Sequence, residues 1–234
     1  VVTELFSAGS VSLIVGEGGC GKTWALLDCA VVVALGQPWL EHAVQGVAVL
    51  IVDEESGPRR LARRLGDVLR GHAAGPETPI AYITLARFDL GKTDDIQALE
   101  AAITEARARL VIIDALADVM LGRDENTVRE VQPVFVALRG VAEAQQAAII
   151  IIHHTNRAGR YRGSTAIKGA VDLLLLVEND NAGLLTFKSD KARDVQSVHF
   201  STQMHFLPEK FYLTSATAAA SPPVFNKGEL FVLR

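Results

Sequence analysis

Residues 16–23 read Gly16-Glu17-Gly18-Gly19-Cys20-Gly21-Lys22-Thr23, the spacing G-x-x-x-x-G-K-[ST]. Glycines at these intervals let the backbone curl until successive N–H groups face one point, and such a nest accepts phosphate oxygens. Lys22 has the reach for the β- and γ-phosphates of a nucleoside triphosphate, and the Thr23 hydroxyl is a hard oxygen ligand for Mg²⁺. The segment is therefore expected to bind ATP with its magnesium ion. Trp24 follows directly and is grouped with this site, its ring expected to pack on the first helix.

Hydrolysis also needs a second metal-side carboxylate and a group that orients water. The run Arg109-Leu110-Val111-Ile112-Ile113-Asp114 ends an apolar strand on an acid, which suits Asp114 to hold a metal-bound water opposite Thr23. The run Val52-Asp53-Glu54-Glu55-Ser56 ends another strand on three acids. Ligands of open α/β sheets bind at the carboxyl ends of strands, so one of these acids is a candidate base. A third apolar run ends on His153-His154. Neighbours on a strand face opposite ways, so one of the pair is expected to reach the nucleotide.

These residues need a sheet to carry them. Short continuous apolar runs at 11–15, 47–52, 110–114, 148–152 and 173–177 read as strands buried on both faces, with a shorter strand at 80–84. Amphipathic stretches at 21–35, 59–69, 95–107 and 131–146 read as helices between them. After residue 177 the pattern changes to short strands at 184–188, 197–200 and 211–213 joined by turns. The expectation is an α/β fold: a mostly parallel sheet flanked by helices, with antiparallel strands at its C-terminal edge. One domain is expected over residues 1–214. Residues 215–234, which include an Ala/Ser/Pro stretch, read as a linker and tail leading towards another domain.

The order and spacing of these segments resemble the RecA-like ATPases, and within them the RepA-type hexameric helicases and related phage ATPase domains. The similar segments run from Gly16 to about Arg193 and include Asp124-Glu125-Asn126, Arg162-Gly163-Ser164-Thr165-Ala166-Ile167 and Lys191-Ala192-Arg193. The resemblance implies that Glu55 is the catalytic base, with Glu54 one residue away as the alternative. It implies that His154, with His153 as the alternative, senses the γ-phosphate. It implies that Lys191 and Arg193 reach a neighbouring subunit's γ-phosphate, so that a ring or filament, a hexamer foremost, is the working form. It also turns the segment 155–168 towards a central channel. Arg157, Arg160, Arg162 and Lys168, with Tyr161 and no acid among them, suit phosphate pairing and base stacking on single-stranded DNA.

The net charge of −4 argues against a surface that grips nucleic acid everywhere, though not against one basic loop. The apolar runs are too short to cross a bilayer. Cys20 and Cys29 lack metal-site spacing, and a reducing, cytoplasmic setting is expected. Two functions compete: a motor that moves along single-stranded DNA, as a replicative helicase does, and a KaiC-like or recombination-accessory ATPase that uses the nucleotide as a switch.

Overall fold

The computed structural model describes residues 1–155, 165–193 and 195–216. Its frame is one nine-stranded sheet in the order β3-β2-β4-β5-β1-β6-β7-β8-β9. The parallel part comprises β1 (Val11–Gly16), β2 (Ala48–Asp53), β3 (Ile80–Thr84), β4 (Ala108–Asp114), β5 (Ala148–His154) and β6 (Leu173–Asn179). The hairpin-joined strands β7 (Leu184–Ala192), β8 (His199–Leu207) and β9 (Lys210–Ala216) extend it antiparallel.

The central strands carry unbroken apolar stretches because each of their faces meets a core. Along β1, Leu13 and Val15 enter one cluster and Ile14 the other; on β5, Ile149 and Ile151 oppose Ile150 and Ile152. One core lies under α1 (Lys22–Leu35) and α2 (Pro58–Gly71), the other under α3 (Thr93–Ala106) and α4 (Val128–Gln145). In α2 the buried residues Leu61, Leu65 and Val68 follow helical spacing, with arginines on the outer face.

The antiparallel strands fold over the α1–α2 side. Trp24 packs against Phe211 and edge-on to Phe206, with ring centroids 4.7 and 5.2 Å apart. Gly71, at the end of α2, lies so close to the Phe211 carbonyl that a Cβ would sit 1.9 Å from its oxygen.

Three features depart from the sequence expectations. The strand expected at 197–200 is β8, His199–Leu207, longer and later in the chain. The last strand reaches Ala216, past the expected start of the linker, and residues 217–234 lie outside the described residues. The 3₁₀ turn Leu116–Val119 and the short helix α5 (Thr165–Ala170) were not anticipated, being too short for a periodic signal.

Candidate functional site

The loop 16–21 leaves the carboxyl end of β1 and enters α1. Gly16 is required by close approach: a Cβ there would lie 2.4 Å from the Val177 carbonyl oxygen on β6. Gly21 has φ 110° and is the N-cap of α1, in a region of backbone space that glycine adopts readily. No side chain caps this helix and its first turn carries no acid, which leaves its unpaired amides available to an anion.

Lys22 is buried, and its ammonium donates to the Gly16 and Glu17 carbonyl oxygens at 2.8 and 2.7 Å. Burial lowers its pKa; the nearby Cys20 and Asp114 oppose the shift. The same ammonium lies 3.4 Å from His154 Nδ1.

Thr23 donates its hydroxyl to Asp114 Oδ2 at 2.7 Å, so α1 and the end of β4 meet here. Burial raises the Asp114 pKa to about 7; the Thr23 hydrogen bond opposes this, while Glu55 and Asp53 add to it. Asp114 Oδ1 and Asp53 Oδ2 are buried and accept no hydrogen bond among the described residues. One hydroxyl, a buried carboxylate with a spare oxygen and an adjoining phosphate nest form a donor set that fits Mg²⁺, which keeps water and phosphate oxygens as its remaining ligands.

The acids after β2 separate cleanly. Asp53 accepts from the Glu55 and Ser56 amides through Oδ1. Glu54 turns away from the phosphate loop and accepts from the amides of Ala86 and Arg87 at 3.1 and 2.9 Å, holding the segment after β3. Glu55 remains half exposed, its Oε2 3.5 Å from His154 Nε2. The two histidines alternate as strand geometry requires. His153 is buried and lies 3.9 Å from Glu125 Oε2, whereas His154 sits between Lys22 and Glu55.

Lys22, Thr23, Asp114, Glu55 and His154 thus converge on the carboxyl ends of β1, β2, β4 and β5. On the other flank of the phosphate loop is a cleft of about 400 Å³, lined by residues 15–20, Thr155, residues 176–179 and Asn181.

Lys191 and Arg193 stand elsewhere. Ala192 pairs with Leu173 at the amino end of β6, whereas Gly16 pairs with Val177. Four residues of strand, roughly 13 Å, separate the two levels. Lys191 donates to the carbonyls of Lys168 and Gly169, and Arg193 to Gly169 and to Asp172. Burial lowers the Lys191 pKa, and the Arg193 charge adds to that. Lys168 is paired with Asp190 at 2.7 Å. Arg157, Arg160 and Arg162 lie outside the described residues.

Asp53, one of the three acids that end β2, has an orphaned buried oxygen beside the metal-side cluster, a place the sequence had not given it. One further participant is absent from the sequence expectations. Asn179 donates from Nδ2 to the Cys20 carbonyl at 3.0 Å, and only its place at the end of β6, before a turn, hinted at it. Among the described residues no helix is long and apolar enough to cross a membrane.

A family model described as an AAA domain matches residues 1–160. The DNA repair protein RadA of Mycobacterium tuberculosis is 27% identical over 180 residues, covering 76% of this chain and 33% of that protein. RadA of Mycolicibacterium smegmatis is 26% identical over 185 residues, covering 76% of this chain and 35% of that protein. RadA of Streptococcus pneumoniae is 24% identical over 177 residues, with corresponding shares of 74% and 36%. The chain spans about a third of the length of these relatives.

Proposed function

This chain belongs to the AAA domain family, and we propose that it hydrolyses magnesium-bound ATP and couples turnover to single-stranded DNA. The observation that carries the reading is the convergence of Lys22, the Thr23–Asp114 pair and the Glu55–His154 pair on one end of the sheet. The wider frame is that of a RecA-like P-loop ATPase, supported by the family match and the RadA relatives.

In this reading the amides of residues 16–23 and the Lys22 ammonium hold the phosphates. Lys22 exchanges the Gly16 and Glu17 carbonyls, its present partners, for phosphate oxygens. Thr23 Oγ and Asp114 would hold the magnesium ion, which when bound offsets charge on the β- and γ-phosphates. Glu55 accepts the proton of the attacking water, and His154 donates a hydrogen bond to the γ-phosphate. The distance between Lys191/Arg193 and the chain's own phosphate loop is consistent with action on a neighbouring subunit's nucleotide, in a ring or filament with a hexamer foremost. Arg157, Arg160, Arg162 and Lys168 are the proposed contacts with DNA.

Between the two DNA-linked roles, the RadA relatives are named as DNA repair proteins, which favours a repair- or recombination-accessory ATPase over a replicative helicase. Steady-state ATPase with and without single-stranded DNA tests the coupling. Stimulation that falls with salt supports it; equal rates, with no salt-sensitive DNA binding, overturn it. A strand-displacement assay on a forked duplex then separates a motor from a switch.

A further inference from the structure

Two facts about the Cys20–Gly21 peptide have to be reconciled. It leads into Gly21, the N-cap of α1, so its N–H stands among the amides available to phosphate. It also precedes a glycine. Turning a peptide plane over changes ψ of the residue before and φ of the residue after, and when the latter is glycine that turn costs little. A flip would exchange an N–H for a carbonyl, placing an acceptor where a phosphate needs a donor. The glycine that permits the curl therefore leaves its weakest peptide unfixed.

The lock comes from β6. The Asn179 side chain donates from Nδ2 to the Cys20 carbonyl at 3.0 Å. Its Oδ1 accepts from the Asn181 amide at 2.8 Å, and since a backbone N–H can only donate, this contact fixes which end of the side chain is which. The turn that bears Asn179 is itself held: Asp180 Oδ1 accepts from the Ala182 and Leu184 amides. In a trans peptide the N–H opposes the C=O, so drawing the Cys20 oxygen towards the turn aims the Gly21 N–H away from it.

We infer that Asn179 is a positioning residue for the triphosphate, acting through the Cys20 carbonyl to aim the Gly21 N–H at phosphate. This rests on the nucleotide reading above. The contact is with the loop and not with the reacting γ-phosphate, so ground state and transition state gain from it alike. Loss of Asn179 therefore appears in KM and not in kcat.

The test compares the parent chain with Asn179→Ala, Asn179→Gln and Lys22→Ala. The readouts are ATPase kinetics at saturating magnesium, melting temperature, and the Gly21 amide resonance during titration with inorganic tripolyphosphate. For Asn179→Ala the expected result is a rise in KM of about 10- to 100-fold, the worth of one hydrogen bond to a charged group, with kcat within about threefold. The tripolyphosphate-induced shift of Gly21 is lost selectively, and Asn179→Gln, which keeps the donor, recovers most of both effects. A parental KM, a parental Gly21 shift in the alanine variant, or a glutamine variant as poor as alanine would each overturn the inference. So would a fall in melting temperature accompanied by an even loss of shift across residues 16–23, which is what loosened packing gives. If Lys22→Ala binds tripolyphosphate like the parent, the phosphate-loop reading itself fails; if only the Asn179 variants behave like the parent, that reading stands without this inference.

Discussion

Glu54 and Glu55 are adjacent in sequence and differ entirely in environment. Glu54 is committed to two backbone amides, while Glu55 faces His154 with an oxygen accessible to solvent. Glu55→Gln is expected to lower kcat by about 10²- to 10⁴-fold with little change in KM, the usual worth of a general base. Glu54→Gln is expected to cost about 1–3 kcal/mol of stability through its weakened acceptor role and to leave more of the turnover intact. Single-turnover rates and urea midpoints of the two variants separate these outcomes. Asp114 offers a second prediction at this scale. Its pKa of about 7 lies above the value of about 3.9 expected in the unfolded chain. Between those values the folded chain keeps a proton that the unfolded chain has released. Its stabilising effect is thus greatest in acid and declines as pH rises towards 7, by at most about 1.4 kcal/mol per pH unit. Urea midpoints of nucleotide-free protein at about pH 5.5 and about pH 7.5 should show the decline, and Asp114→Asn should flatten it. The sequence identified the acid-rich strand end, and the resemblance favoured Glu55, but neither indicated that Glu54 is held elsewhere. That follows from the segment after β3, which brings the Ala86 and Arg87 amides to Glu54 from more than thirty residues away.

At the scale of elements, the parallel strands and the four longer helices could be read from the chain because burial on both faces leaves an unbroken apolar run and a covering helix leaves a periodic one. The antiparallel part was harder. In β8 most side chains are only partly buried, so His199–Leu207 carries no clean alternation, and the expected strand fell short of it. The packing of β9 against α1 and α2 left no local signal, since it joins residues far apart in the chain. Phe211 is fully buried between Trp24 and the end of α2. Phe211→Ala is expected to cost about 3–5 kcal/mol, measured as a shift in urea midpoint. Asn179 was missed for the same reason as β9: its partner, the Cys20 carbonyl, is 159 positions away.

For the molecule as a whole, the proposed chemistry divides between two ends of the sheet. The groups proposed to hold the nucleotide gather at the carboxyl ends of the parallel strands, and Lys191 and Arg193 gather at the other, tied to the carbonyls that close α5. A subunit with these cations intact and its own loop disabled should therefore assist a neighbour. Arg193→Ala and Lys22→Ala proteins are each expected to lose about 10³-fold or more in turnover, and a mixture of the two should regain activity that neither has alone. Mixed-variant ATPase at concentrations where the chains associate provides the measurement. Additive rates with no gain would confine Arg193 to its bonds with Asp172 and the Gly169 carbonyl.

The clasp of β9 over the helices also bears on the order in which the protein is made. Every group proposed for the chemistry within one subunit has been synthesised by residue 154, yet Met204 lies against Gly21 and Phe211 against Trp24. A nascent chain halted before β8 would carry the whole phosphate loop and still lack the side chains that seat its helix. The first turn of α1, and with it the loop that enters the helix, therefore leans on side chains from the far end of the described chain.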